Sequence, residues 1–210
     1  MKKSFIKDAL ILFLITLIAG VALGGVYAIT KGPIEKAEYN KQQNAYREVM
    51  QDAEEFIDYS GFDAEAAQKV LADAGLADDN TIEGVVQAVD ENGALAGYVI
   101  SVTNSAGYGG NITFSMGYKT DGTITGYSLT TINETAGLGM KAKEDPFKSQ
   151  FADKKVDSFE VTKNTAASDN QIEAISGATI TSRAVTGGMN AAIAYAVYLM
   201  GETGGELINE

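Results

Sequence analysis

Hydrophobic positions follow three different patterns along the chain. From Ala9 to Thr30, 22 residues pass without a charge. As a helix that run spans about 33 Å, against a hydrocarbon core of about 30 Å. It predicts a membrane-spanning helix, because in lipid the backbone must satisfy its own polar groups. From Pro33 to about Ile57, Tyr39, Tyr46, Val49, Met50, Ala53 and Phe56 recur at helical spacing. Pro33 suits the first turn of a second helix. Phe62 to Gly75 predicts a short helix with the glycine as its stop. The pattern then changes to strand-like runs at Thr81–Val89, Leu95–Thr103, Ile112–Tyr118 and Thr123–Ile132. Asn92-Gly93 and Asp121-Gly122 supply hairpin turns, so these runs predict an antiparallel meander. Lys155–Lys163 predicts a further strand, and the Ala-rich stretch Thr181–Met200 a final helix ended by Gly201. The fold class is α+β: a single transmembrane helix followed by one domain with an antiparallel sheet and flanking helices. The expected divisions are 1–8 as the N-terminal flank, 9–30 as the membrane helix, 31–80 as a helical connector and 81–210 as the domain.

Charge gives this layout a direction. Lys2, Lys3 and Lys7 precede the apolar run, which places the N-terminus in the cytoplasm and the domain outside it, in a single-pass cell-membrane topology. A cleaved signal peptide is the alternative, with Val26-Tyr27-Ala28 as its cleavage site. The apolar run is longer than the roughly 7–15 residues usual for such a segment. Gly20 and Gly24 have the spacing of a helix–helix contact face. Net charge is −12, which argues against nucleic acid as a partner.

The sequence has no Cys and no His. That excludes disulfides, thiolate nucleophiles, Cys-ligated iron–sulfur clusters, His-liganded metals and imidazole acid–base catalysis. Asp52, Glu54, Glu55 and Asp58 lack the spaced loop and central glycine of a calcium site and read as a solvated helix face. No metal site is expected. An organic cofactor is compatible with all of these absences.

The densest chemistry lies in Glu173-Ala174-Ile175-Ser176-Gly177-Ala178-Thr179-Ile180-Thr181-Ser182, at the start of the final helix. A helix N-terminus offers free N–H groups and a partial positive charge, which suits a phosphate. Gly177 and Ala178 permit close approach of a ligand. Ser176, Thr179, Thr181 and Ser182 can bond phosphate oxygens, or they can simply cap the helix. The residues alone leave both readings open.

Ser176-Gly177-Ala178-Thr179 with Thr181-Ser182 resembles the flavinylation motif of the FMN-binding domain family. Glu134-Thr135-Ala136-Gly137-Leu138-Gly139 resembles that family's Glu-Thr-Pro-Gly-Leu-Gly segment, and Gly107-Tyr108-Gly109-Gly110-Asn111-Ile112 its Gly-rich turn. With the N-terminal anchor, these motifs are similar to those of the G subunits of Rnf complexes, membrane-bound ferredoxin:NAD oxidoreductases that couple electron flow to ion transport. The C subunit of the sodium-pumping NADH:quinone oxidoreductase has a similar plan. The resemblance implies FMN joined through its phosphate to Thr179, with Thr181 as the nearest competitor. It implies a flavin transferase that recognises the acidic position three before Ser176, here Glu173 where Asp is common. It also implies the other subunits of an electron-transport complex as partners, and no catalytic centre in this chain alone. Tyr108, Leu138 and Met140 would wall the ring. Gly109, Gly110, Gly137 and Gly139 would allow close approach, and Glu134 and Thr135 would bond the ribityl chain. Lys141 and Lys143 would face the phosphate or a partner. Two other readings remain: a stand-alone surface flavoprotein serving quinone or extracellular acceptors, and a non-redox binding module.

Overall fold

The computed structural model describes residues 2–207. Met1, in the expected N-terminal flank, and residues 208–210, at the expected domain end, lie outside the described residues. The chain divides into two units, Met1–Gln42 and Gln43–Glu210.

The first unit is helical throughout. Helix α1 runs from Lys2 to Val49. Its N-terminal part is long and apolar enough to cross a membrane. Leu10, Phe13, Leu14, Leu17, Val21 and Leu23 are all exposed, so the apolar surface faces outward around the whole helix. Only lipid or partner helices make that arrangement favourable. Both threonine hydroxyls in this stretch are satisfied internally: Thr16 donates to the Phe13 carbonyl at 2.9 Å and Thr30 to the Val26 carbonyl at 2.9 Å. Two expectations are corrected here. Pro33 does not begin a second helix but lies inside α1. Gly32 before it has no Cβ to meet the proline ring, which relieves the clash that normally drives the preceding residue out of the helix. The helix also ends at Val49 rather than Ile57, and residues 55–58 form a strand.

The second unit is built on a five-stranded antiparallel sheet in simple meander order: β1 (Glu55–Asp58), β2 (Asn80–Val89), β3 (Leu95–Asn104), β4 (Ile112–Lys119) and β5 (Ile124–Thr131). Helix α2 (Ala64–Asp73) connects β1 to β2. The Asp63 carboxylate starts α2 by accepting from the Glu65 and Ala66 amides at 2.8 and 3.2 Å. Residues 31–80 therefore do not form a purely helical connector, since β1 and α2 belong to the sheet unit. A short parallel pair, β6 (Glu160–Thr162) and β7 (Gln171–Glu173), precedes helix α3 (Thr179–Thr203). α3 starts two residues earlier than the apolar pattern predicts, passes through Gly201 and is capped by Gly204 at φ 62°.

One face of the sheet carries the main core. Tyr98, Ile100, Val102, Phe114 and Met116 cluster with Val185, Met189, Ile193, Tyr195 and Leu199 of α3. Each such side chain contributes about 1.5–3 kcal/mol on burial. A smaller cluster joins Tyr46, Val49 and Met50 at the end of α1 to Val86, Ala88 and Val99. The register decides where the site forms. β3 pairs with β4 up to Asn104↔Ile112, and β4 with β5 up to Thr113↔Thr131. The β3–β4 loop and the segment after β5 thus leave the sheet at the same end.

Candidate flavin site

Two Gly-rich loops and the start of α3 meet at that end. The first loop, Gly107–Asn111, bends over the second. Gly109 N–H donates to Glu134 Oε1 at 3.3 Å. A side chain at Gly109 would overlap the Asn133 carbonyl, so this approach requires glycine. The second loop continues into a 3-10 helix at Gly139–Lys143. It is anchored by Tyr127, whose buried hydroxyl donates to the Ala142 carbonyl. Burial, and secondarily the Asp145 charge, push the Tyr127 phenol well above its ordinary range, so it stays protonated as a donor.

The third wall is the turn from β7 into α3. Ser182 ties it together by accepting from the Ile175 amide at 3.0 Å and donating to the Ala178 carbonyl at 2.9 Å. Gly177 makes the turn at φ 76°. Residue 178, at the cap position of α3, is Ala, and no side chain caps this end. The amides of Thr179, Ile180 and Thr181 consequently enter no hydrogen bond among the described residues. The four leading N–H groups of a helix lack intrahelical partners, and a helix that leaves them uncapped offers them to an anion.

Between these walls lies a cavity of about 560 Å³, within the range of small-molecule and cofactor sites. It is lined by Tyr108, Glu134, Thr135, Leu138, Gly139, Gly177, Ala178, Thr179 and Thr181, all from the sequence-derived set, together with Ile180. The structure thus brings together three segments separated by up to about seventy positions. Tyr108, Leu138 and Ile180 are exposed apolar groups at this cavity, 72%, 42% and 53% accessible respectively. Glu134 and Thr181 are the opposite, at 8% and 1%.

Other expected site residues stand outside the lining. Gly110 and Gly137 shape their loops at φ 110° and 75°. Gly109 holds the loop contact, and Ser182 is buried with both hydrogen bonds spent on the turn. Ser176 instead lines a neighbouring cleft of about 380 Å³ with Lys141, Glu144 and Phe147. Met140 is not among the lining residues, and Lys143 is exposed away from them. Ile180 was missed as a wall; its signal is an apolar residue in the first turn, directly after Thr179.

The residues fit a phosphorylated, partly aromatic ligand. Three free amides and the Thr179 hydroxyl stand at a positive helix end, apolar side chains surround the opening, and two buried polar groups sit inside. The space beside Gly139 is closely fitted: a methyl there would lie 2.6 Å from Thr181 Oγ1 and 2.7 Å from Glu134 Oε2.

Comparison with known proteins agrees with this geometry. Residues 107–194 match the FMN-binding domain family, and residues 1–49 match the RnfG N-terminal region. The G subunit of the Na(+)-translocating ferredoxin:NAD(+) oxidoreductase complex of Acetobacterium woodii is 34% identical over 194 residues, covering 91% of each chain. The chain belongs to the family of Rnf complex G subunits. The G subunit of the proton-translocating ferredoxin:NAD(+) oxidoreductase complex of Clostridium ljungdahlii is 35% identical, covering 84% of this chain and 83% of that one. The G subunit of the ion-translocating oxidoreductase complex of Methanosarcina acetivorans is 29% identical over 194 residues, 92% of this chain and 95% of that one. Among solved structures, NqrC of Shewanella oneidensis is 23% identical and covers 52% of this chain and 54% of that chain, with a TM-score of 0.45. In this Rnf family member, the matched FMN-binding region contains both Gly-rich segments and the start of α3.

Proposed function

We propose that this chain is an electron-transfer subunit of a membrane-bound, ion-translocating ferredoxin:NAD oxidoreductase complex, and that it carries FMN as a phosphoester on Thr179. The observation that carries this reading is the convergence, at one 560 Å³ cavity, of Thr179, three unpartnered helix-start amides and the two Gly-rich loops. Bound FMN supplies the redox chemistry. The chain supplies attachment, orientation and electrostatics.

Thr179 would hold FMN as a phosphoester, its hydroxyl oxygen taking the flavin phosphate from an activated FMN donor on a flavin transferase, with the rest of the donor and the hydroxyl proton released. The product keeps one negative charge, which the first turn of α3 stabilises by about 0.3–1 kcal/mol. Thr179 is partly accessible, as a modification site must be. Leu138, Tyr108 and Ile180 offer apolar contact to the ring, and its attachment to the wall keeps the cofactor at high effective concentration.

The membrane topology belongs to the same reading. Residues 9–30 cross the bilayer, residues 1–8 face the cytoplasm and the sheet domain stands on the other side. A cofactor lost there would be hard to replace, which gives the covalent bond its use. The other subunits of the complex supply and receive the electrons.

The test is retention of flavin after denaturation. Full-length protein co-expressed with a flavin transferase is expected to fluoresce as a flavoprotein on a denaturing gel, and Thr179→Val to be dark. A fluorescent Thr179→Val band would place the attachment elsewhere, and a dark wild-type band would reject covalent attachment.

A further inference from the structure

The expected roles leave the burial of Glu134 unexplained. A carboxylate that merely bonded ribityl hydroxyls could stay solvated at the mouth. Glu134 is instead 8% exposed and lines the cavity. Its one hydrogen bond among the described residues is the 3.3 Å contact from Gly109 N–H to Oε1. Oε2 and the Thr181 hydroxyl both lie beside Gly139. Burying a carboxyl group with a single hydrogen bond is costly, and the bond from Gly109 that joins the two loops uses Oε1 alone, leaving Oε2 without one among the described residues.

No opposite charge neutralises it among the described residues. The ionisable groups lining the cavity are Glu134 and the Tyr108 phenol. From the flanking elements, Lys141 and Lys143 on the 3-10 helix and Arg183 on α3 are exposed. Lys141 lines the cleft around Ser176, and Arg183 lines a separate cleft with Asp78, Asp79 and Asn104. None of the three bonds to Glu134 among the described residues. The start of α3 contributes about half a positive charge, and in the proposed function the phosphoester faces it.

We propose that Glu134 sets the proton count of flavin reduction, acting as a buried carboxyl group in the cavity that takes the bound ring. The inference rests on FMN occupying this cavity. Two-electron reduction of a flavin takes up either two protons, leaving a neutral reduced ring, or one proton, leaving an anionic ring. The electrons come from a neighbouring subunit and the protons from water. A carboxylate nearby disfavours the second negative charge. Glu134 therefore raises the proton affinity of the reduced ring and extends two-proton reduction to higher pH. Glu134 is a positioning group here, acting on the ring rather than reacting with it.

The test is a redox titration of full-length flavinylated protein in detergent across the neutral and alkaline range. Reduction potential falls with pH, and its slope halves where reduction changes from two protons to one. The wild-type break is expected at higher pH than in free FMN. Glu134→Gln is expected to move it down by about one pH unit, roughly tenfold in proton affinity. Glu134→Asp, which keeps the charge, is expected to stay nearer wild type. A Glu134→Gln break coincident with wild type, a wild-type break at or below that of free FMN, or a Glu134→Asp break equal to that of Glu134→Gln each overturns the proposal. If Glu134→Gln fails to hold flavin, wild type against free FMN still decides. Absence of flavin from the wild-type protein would be a failure of the proposed function itself, and it differs visibly from an unmoved break.

Discussion

Ser182 and Thr179 stand three positions apart and do different work. Ser182 spends its hydroxyl on two hydrogen bonds inside the turn, while Thr179 lines the cavity. Ser182→Ala is expected to lower the stability of the domain by about 1–3 kcal/mol, because it leaves a buried amide without an acceptor. Urea unfolding with an unchanged m-value checks this. Gly139→Ala is expected to reduce flavin occupancy while the circular dichroism spectrum stays native. Its methyl would press on Thr181 and Glu134 at 2.6–2.7 Å. At this scale the site residues singled out in the sequence include every residue lining the cavity except Ile180. The sequence could not separate Ser182 and Ser176 from Thr179, because hydroxyl direction depends on a backbone turn set by Gly177 and by packing against Leu138. Ile180 escaped because an apolar residue in a first helical turn ordinarily points to a core.

Among the elements, β2 to β5 were readable from alternation and turn residues, and the meander follows from their order. β1 was not. Phe56 and Ile57 continue the helical spacing of Tyr46, Val49 and Ala53, and four residues are too few for a period of two to stand out. Pairing with Val86–Val89 decides their conformation. Helix α3 begins earlier than its apolar stripe because Thr179 and Ile180 belong to the cavity wall rather than to the core. The 3-10 helix after the second loop depends on a contact no local pattern reveals, the bond from Tyr127 to the Ala142 carbonyl. Tyr127→Phe is expected to cost about 1 kcal/mol and to raise hydrogen exchange at residues 139–143 more than in the sheet. Equal exchange throughout would show that the bond does not hold the loop.

The whole molecule is acidic, and its surface ion pairs make it sensitive to acid. Lys155, with the Thr123 side chain and amide, holds the Asp121 carboxyl well below its ordinary range. Lys119 also lowers Asp52, and Lys154 lowers Asp169. Lower values in the folded state mean that this stabilisation is complete above the unfolded carboxylate range, near pH ~4, and is lost as pH falls through that range toward the folded values. The melting temperature is expected to stay level from neutral to about pH 5 and then to fall, with added salt flattening the change because these pairs are exposed. A melting temperature that rises on acidification would contradict this assignment. At the same scale, the chain divides within α1 into units 1–42 and 43–210, and both belong to the proposed attachment of a redox cofactor at a membrane. The absence of Cys and His then has a specific meaning in the proposed function: any iron–sulfur centre with ordinary Cys ligation in the electron path belongs to another subunit, and a threonine hydroxyl is the group proposed to hold the cofactor. The most direct test is mass spectrometry of full-length protein co-expressed with a flavin transferase, followed by fragmentation of the peptide spanning Ser176–Ser182. The expected result is a gain equal to FMN less one water, carried by Thr179 and absent from Thr179→Val. The same gain on Thr181, or its persistence in Thr179→Val, would contradict the account.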